Sequence, residues 1–162
     1  MTEKEIREVL ERHERWVYEL EGWSESDRAN LRGANLRGAD LYGADLYGAE
    51  NVPFIPYACP DFGMFIGFKK ASDYIVVLEI PQEAKRLSAA GRKCRCNKAK
   101  VLEIQNIDGT KADITEVRSN YDHDFVYRIG EIVEVKDFNE DRWNECSAGI
   151  HFFINRQEAV EY

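Results

Sequence analysis

The densest concentration of chemistry in the chain is the segment Gly91-Arg92-Lys93-Cys94-Arg95-Cys96-Asn97-Lys98-Ala99-Lys100. A glycine-led turn entering a strand would set backbone N–H groups beside several side-chain cations, which suits an anionic ligand. Arginine offers forked donors that match phosphate, and lysine adds a point charge. Alternate side chains of a strand share a face, so Lys98 and Lys100 lie together, opposite Ala99 and Val101. Lys69 and Lys70, on a separate strand, are placed to join them. Extended back to Lys85, the stretch holds seven cations and no acid. The other 15 cations face 30 acids, so the formal charge of −8 is a basic spot in a remainder of −15. A solvated basic face is the plain alternative; the absence of any acid over 16 residues of so acidic a chain favours a site.

A second constellation is Trp143-Asn144-Glu145-Cys146-Ser147-Ala148-Gly149-Ile150-His151. Cys146 and His151 are the types that make a thiolate–imidazole pair, with Glu145 or Asn144 to orient it. Both are equally at home as packed structural residues, and His151 alone suits donation to a bound phosphate or base. Ligand size narrows the choice. Duplex DNA needs a wider basic footprint or a recognition helix. Single strands need aromatic platforms between the cations, and none stands between Lys85 and Lys100. A nucleotide-sized phosphorylated ligand needs only a few cations plus an aromatic from the set Tyr121, Tyr127 and Trp143. The expected binding set is therefore Lys69, Arg86, Arg92, Lys93, Arg95, Lys98, Tyr121, Trp143 and His151, with no catalytic residue and no cofactor assigned. Cys59, Cys94, Cys96 and Cys146 form one Cys-x-Cys and two isolated thiols. With His13, His123 and His151 scattered, they do not supply the two spaced pairs of a zinc site.

The chain that must position these groups has 162 residues, 44% of them hydrophobic and 12% aromatic. That supports one domain with a small appendage and excludes wholesale disorder. No run approaches the roughly 18 apolar residues of a membrane span. The charged opening Met1-Thr2-Glu3-Lys4-Glu5 is unlike a signal peptide, so a cytoplasmic chain with reduced thiols is expected. A pI near 5 argues against a surface that wraps duplex DNA.

Residues 3–21 read as a helix. Ile6, Val9, Leu10, Trp16, Val17 and Leu20 form one stripe, Thr2 and Glu5 fit a capping box, and Gly22 fits the stop. The stripe needs a partner, either within the chain or in another copy. From Ala29 to Pro53 a period of five follows: A-N-L-R-G twice, A-D-L-Y-G twice, then A-E-N-V-P. Pro53, Pro56 and Pro60 bracket a connector. Beyond it, strands are expected over Phe65–Lys69, Tyr74–Ile80, Lys98–Ile107, Thr110–Ser119, Phe125–Arg128, Glu131–Val135 and Gly149–Ile154. A hairpin turn is expected at Asp108-Gly109, a short helix over Gln82–Ala90, and a C-terminal helix after Asn155. The resulting class is α+β, divided as 1–28 (helix and linker), 29–53 (repeat), 54–61 (connector) and 62–162 (ligand-binding domain).

The quintets resemble the pentapeptide-repeat family, whose signature is A-(D/N)-L-x-x. The resemblance implies a right-handed quadrilateral β-helix with one quintet per face. Leu31, Leu36, Leu41 and Leu46 would point inward with Ala29, Ala34, Ala39 and Ala44, and Arg32, Tyr42 and Tyr47 would lie outside. Five quintets make little more than one coil, too few to stand alone, and a homo-oligomer through the helix or the coil is expected. The phrases F-I-G-F-K-K, G-R-K-C-R-C-N-K-A-K-V-L, F-x-Y-x-x-G-E-I-V-E-V and R-W-N-E-C-S-A-G-I-H-F-F resemble a domain of unknown function. That domain is fused to pentapeptide repeats in phage and prophage proteins, which implies a host-cell cytoplasmic setting. A third resemblance joins G-I-H-F-F-I-N-R-Q-E-A-V-E-Y to the strand–helix phrase of ADP-ribosyltransferase folds. It implies a nicotinamide-dinucleotide cleft, but no His-Gly-Thr-type strand is present and no later strand is expected to supply that family's Glu. The function expected is capture, without catalysis, of a small phosphorylated nucleotide that signals host defence. The rival expectations are an enzyme with a Cys/His or transferase-like site and an interaction module built on the repeats.

Overall fold

A computed structural model describes residues 2–31, 44, 46–52 and 54–162. Helix α1 runs Glu3–Val17, opened by the expected capping box: Thr2 Oγ1 accepts from the Glu5 N–H at 3.3 Å, and the Glu5 carboxylate accepts from the Thr2 N–H at 2.6 Å. It stops one turn earlier than expected. The Leu20 N–H donates to the Arg15 carbonyl and the Glu19 N–H to the Trp16 carbonyl, while Glu19 itself takes the left-handed conformation (φ 48°). That is a Schellman closure built on Glu19, so Gly22 belongs to the turn beyond it. Ile6 is buried, and the half-buried Val9 and Leu10 pack against the repeat segment, where Ala29, Leu31 and Leu46 are buried.

Asn30 and Glu50 form a parallel bridge, with Leu31 N–H donating to the Glu50 carbonyl and Glu50 N–H to the Ala29 carbonyl. The pair is twenty residues apart, the length of four quintets, so the chain returns over itself after one coil. Leu36, Leu41, Ala34, Ala39, Arg32 and Tyr42 lie outside the described residues. The coil has a helix on one side, and Ile55, Ala90 and Trp143 pack against it as well.

Beyond the connector the chain is a set of antiparallel sheets. A four-stranded sheet has the order β1 (Phe65–Ala71), β2 (Tyr74–Ile80), β5 (Lys98–Asn106), β8 (Ile132–Glu134). A second sheet joins β3 (Arg86–Ser88), β4 (Cys94–Cys96) and β9 (Ile150–Phe152), and β6 (Glu116–Arg118) pairs with β7 (Val126–Arg128). Helix α2 (Arg156–Glu161) is capped by the Asn155 side chain on the Gln157 N–H. The first two sheets meet at Gly67: a Cβ there would sit 2.6 Å from the Phe152 ring. This missing side chain lets Phe152 reach the core shared with Leu78, Val101 and Tyr127.

Two sequence expectations are corrected here. Gln82–Ala90 is not a helix: after a turn at Pro81–Ala84 the chain becomes β3, with Arg86 opposite Cys96 and Ser88 opposite Cys94. All three β3 residues are buried, and pairing with β4 supplies hydrogen bonds that a solitary helical turn would lack. Thr110–Ser119 is not one strand against β5. The Asp108-Gly109 turn forms as expected, with Gly109 at φ 94°, but pairing ends at the Gln105–Lys111 bridge and the chain leaves to make β6 with β7.

Candidate functional site

The basic stretch folds as β3, a bend, β4 and the start of β5, and most of its cations are already engaged. Arg86 is buried, and its guanidinium donates to the carbonyls of Gly63, Pro81, Gln82 and Ala84 while lying 5.1 Å from the Phe65 ring centre. Arg95 is only 2% exposed. It donates to the carbonyls of Asp141 (2.9 Å) and Ala148 (3.4 Å) and stacks over Phe138. Its stem passes Gly149, where a Cβ would come within 2.3 Å. Arg92 pairs with Glu158 at 2.8 Å, Lys98 with Glu83 at 3.4 Å, and Lys85 with Glu140. Trp143 packs on the coil and against the Arg142 guanidinium, which itself sits between Tyr57 and Trp143 at 4.5 Å from each ring centre.

A different subset converges. A cleft of about 790 Å³ is walled by Lys69 and Lys70 of β1, Lys93 ahead of β4, His151 of β9 and Tyr127 of β7. The segment Cys146-Ser-Ala-Gly149, the loop holding Tyr121 and Phe125, Lys136 and Tyr162 complete it. Of the expected set, the fold brings Lys69, Lys93, Tyr121 and His151 together here. Arg86, Arg92, Arg95, Lys98 and Trp143 do not line this cleft, although Arg95 lines a cavity of about 10 Å³ together with Lys93 and His151. Tyr121 is 96% exposed at the rim.

The cleft's electrostatics follow from burial. Lys69 lies 5.8 Å from the Tyr127 ring centre, and burial lowers its ammonium to about 8, with only the Cys96 thiol opposing. Burial, then the charges of Lys69, Lys93 and Arg95, push His151 down to about 4, so it is a neutral imidazole at physiological pH. Its Nε2 is buried without a hydrogen-bond partner among the described residues. Burial alone would lower Lys93 too, but Tyr162, Cys146 and Glu145 together raise it. Lys93 lies 3.6 Å from a Glu145 carboxylate oxygen, 4.0 Å from Cys146 Sγ and 5.7 Å from the Tyr162 ring centre. Asp122, Glu134 and Asp137 stand among the wall residues, so the cleft is mixed in charge rather than uniformly basic.

Cys146 is exposed, whereas Cys59, Cys94 and Cys96 are buried. Burial raises Cys96 to about 12. Among the described residues no group of three or more His, Cys, Asp or Glu is placed to hold a metal ion. Nor is any helix there long and apolar enough to cross a membrane.

Sequence reasoning missed Lys136, Phe125 and Tyr162 as wall residues, and no local signal marks them. Lys69 did have one: along β1 the buried Gly67 and Ala71 flank it at spacing two, which puts a lysine on the core face.

Two family models match the chain. That of a family of unknown function (DUF5758) matches residues 55–159, and that for pentapeptide repeats (8 copies) matches residues 27–50. No curated protein and no solved structure gives a match. The chain belongs to the first family and carries a pentapeptide-repeat segment ahead of that domain.

Proposed function

We propose that this member of the family captures a small phosphorylated ligand, a nucleotide, in the cleft and returns it unchanged. The supporting observation is the convergence of Lys69, Lys93 and the neutral His151 with Tyr121 around about 790 Å³. Small-ligand sites are typically concave volumes of roughly 300–1,000 Å³ holding a few placed polar groups. Lys69 and Lys93 supply charge for phosphate, His151 adds an uncharged ring to the wall, and Tyr121 or Phe125 offers a ring to a base. The phage and prophage setting implied by the C-terminal resemblance gives such capture a purpose: it sequesters a nucleotide signal of host defence. The exposed Tyr18, Leu20, Trp23 and Tyr47 support a self-associated chain that uses the N-terminal region.

Titration calorimetry with a panel of linear and cyclic nucleotides tests the reading. Binding is expected, with the ligand recovered intact, and each of Lys69→Ala and Lys93→Ala should weaken it about tenfold or more, the loss of one charge-assisted contact. Arg92→Ala and Lys98→Ala, outside the cleft, should leave it unchanged. No binding to any nucleotide would end the proposal, and a chemically altered ligand would turn it into an enzyme. Light scattering at the monomer mass would remove the self-association.

A further inference from the structure

Among the cations expected at the site, Lys69 stands apart. Arg92, Lys93 and Lys98 each face a carboxylate, and Arg86 and Arg95 are spent on carbonyls. Lys69 has neither kind of partner among the described residues; its amine lies over the Tyr127 ring, on the core face of β1 between Gly67 and Ala71, and opens into the cleft. A half-buried ammonium without a counter-ion is costly, and a protein that keeps one gains an amine that sheds its proton easily. Beside it in the wall stand a neutral imidazole, His151, and three further lysines, Lys70, Lys93 and Lys136, which add positive charge for an anionic group.

We propose that Lys69 is a covalent anchor whose amine condenses with the carbonyl carbon of a small anionic aldehyde or ketone held in the cleft. This rests on the reading that the cleft accepts an anionic ligand, and it specifies a class of such ligands. The neutral amine's lone pair forms the C–N bond while the carbonyl π electrons move to oxygen, which takes a proton. The carbinolamine then loses that oxygen as water and the nitrogen sheds its remaining proton. Amine and carbonyl become imine and water, and no electrons are exchanged with an outside partner. Burial supports the step, because an amine held at about 8 is neutral far more often near physiological pH than one at 10.5.

The test uses pyridoxal phosphate, an anionic aldehyde, at less than one equivalent on the full chain near neutral pH, followed by borohydride and peptide mapping. The adduct should fall on Lys69 in preference to Lys70, Lys93 or Lys136 by about tenfold or more, because an amine lowered by burial is the more often neutral nucleophile. Excess AMP should suppress it. Lys69→Arg should abolish the adduct while retaining the circular-dichroism spectrum. Labelling that follows exposure and spares Lys69 in the wild type would overturn the covalent anchor. Nucleotide binding measured on the same sample separates the two readings: intact binding with no Lys69 adduct leaves capture standing alone, and a selective Lys69 adduct without nucleotide binding leaves the carbonyl site standing alone.

Discussion

The repeat coil and the C-terminal domain bury their apolar residues by opposite means. The domain closes a core from its own strands, with Leu78, Ile80, Val101, Ile104 and Phe152 inaccessible to solvent. Among the described residues the coil has three buried members, Ala29, Leu31 and Leu46, packed against Val9 and Leu10 from α1 and against Ile55, Ala90 and Trp143. A solenoid repeat gains its stability from adjacent repeats. Among the described residues a helix and the folded domain take the place of an adjacent coil. A repeat segment this short is thus a joint between two elements rather than a module in its own right.

The largest expected effect lies in the domain. Phe152→Ala empties the contact with Gly67 and Phe65 and should cost ~3–5 kcal/mol, read as a lower denaturant midpoint at constant slope. A loss below ~1 kcal/mol would show that the sheets do not depend on this contact. Leu46→Ala should cost less, ~2–3 kcal/mol, and locally. Hydrogen exchange at the Leu31 and Glu50 amides should quicken while β2 amides keep their protection. Equal acceleration in β2 would merge the two regions into one cooperative unit and remove the contrast.

Within the domain, the cleft is where stability is conceded. His151 titrates near 4 when folded against 6.5 when free. The unfolded chain therefore binds the extra proton between those values, so stability is full above about pH 6.5 and falls as pH drops toward 4. The loss is ~2–3 kcal/mol, and His151→Gln should flatten that acid limb in pH-dependent melting. Lys69 is depressed to about 8 from 10.5, so its penalty is fully present at neutral pH and is relieved as pH rises from 8 to 10.5. Lys69→Met should accordingly stabilise the protein by ~1–2 kcal/mol at neutral pH while nucleotide binding is lost. A destabilised Met variant would mean that the ammonium has a compensating partner. Smallest is Thr2→Ala, which removes the capping box and should cost ~0.5–1 kcal/mol, seen as fraying of α1 by circular dichroism with the cleft untouched.

What was legible in the sequence was what neighbours along the chain decide. The capping box at Thr2 and Glu5, strand β2, the Asp108-Gly109 turn and the Asn155 cap are all set by residues within a few positions of each other. The five-residue period was equally plain, and the Asn30–Glu50 bridge shows its four-quintet return. Residues 82–90 were misread because their strand character comes from pairing with Cys94–Cys96, not from their own composition. Which of the cations share the candidate cleft was only half legible, for the same reason. A run of like charge reveals where cations are but not whether distant carbonyls and acids consume them. Arg86 and Arg95 are consumed by carbonyls far from the run's own strand ends, at Gly63, Asp141 and Ala148, whereas Lys69, outside the run altogether, is left open to the cleft.

The twenty-residue return between Asn30 and Glu50 also sets an angle. If each quintet turns the chain through one side of a square, inserting a single quintet would swing the C-terminal domain by a quarter turn about the coil axis relative to α1. Inserting four would restore its heading and only lengthen the shaft. On that geometry, repeat number would act as an indexing gear, deciding which way the cleft faces before how far away it lies.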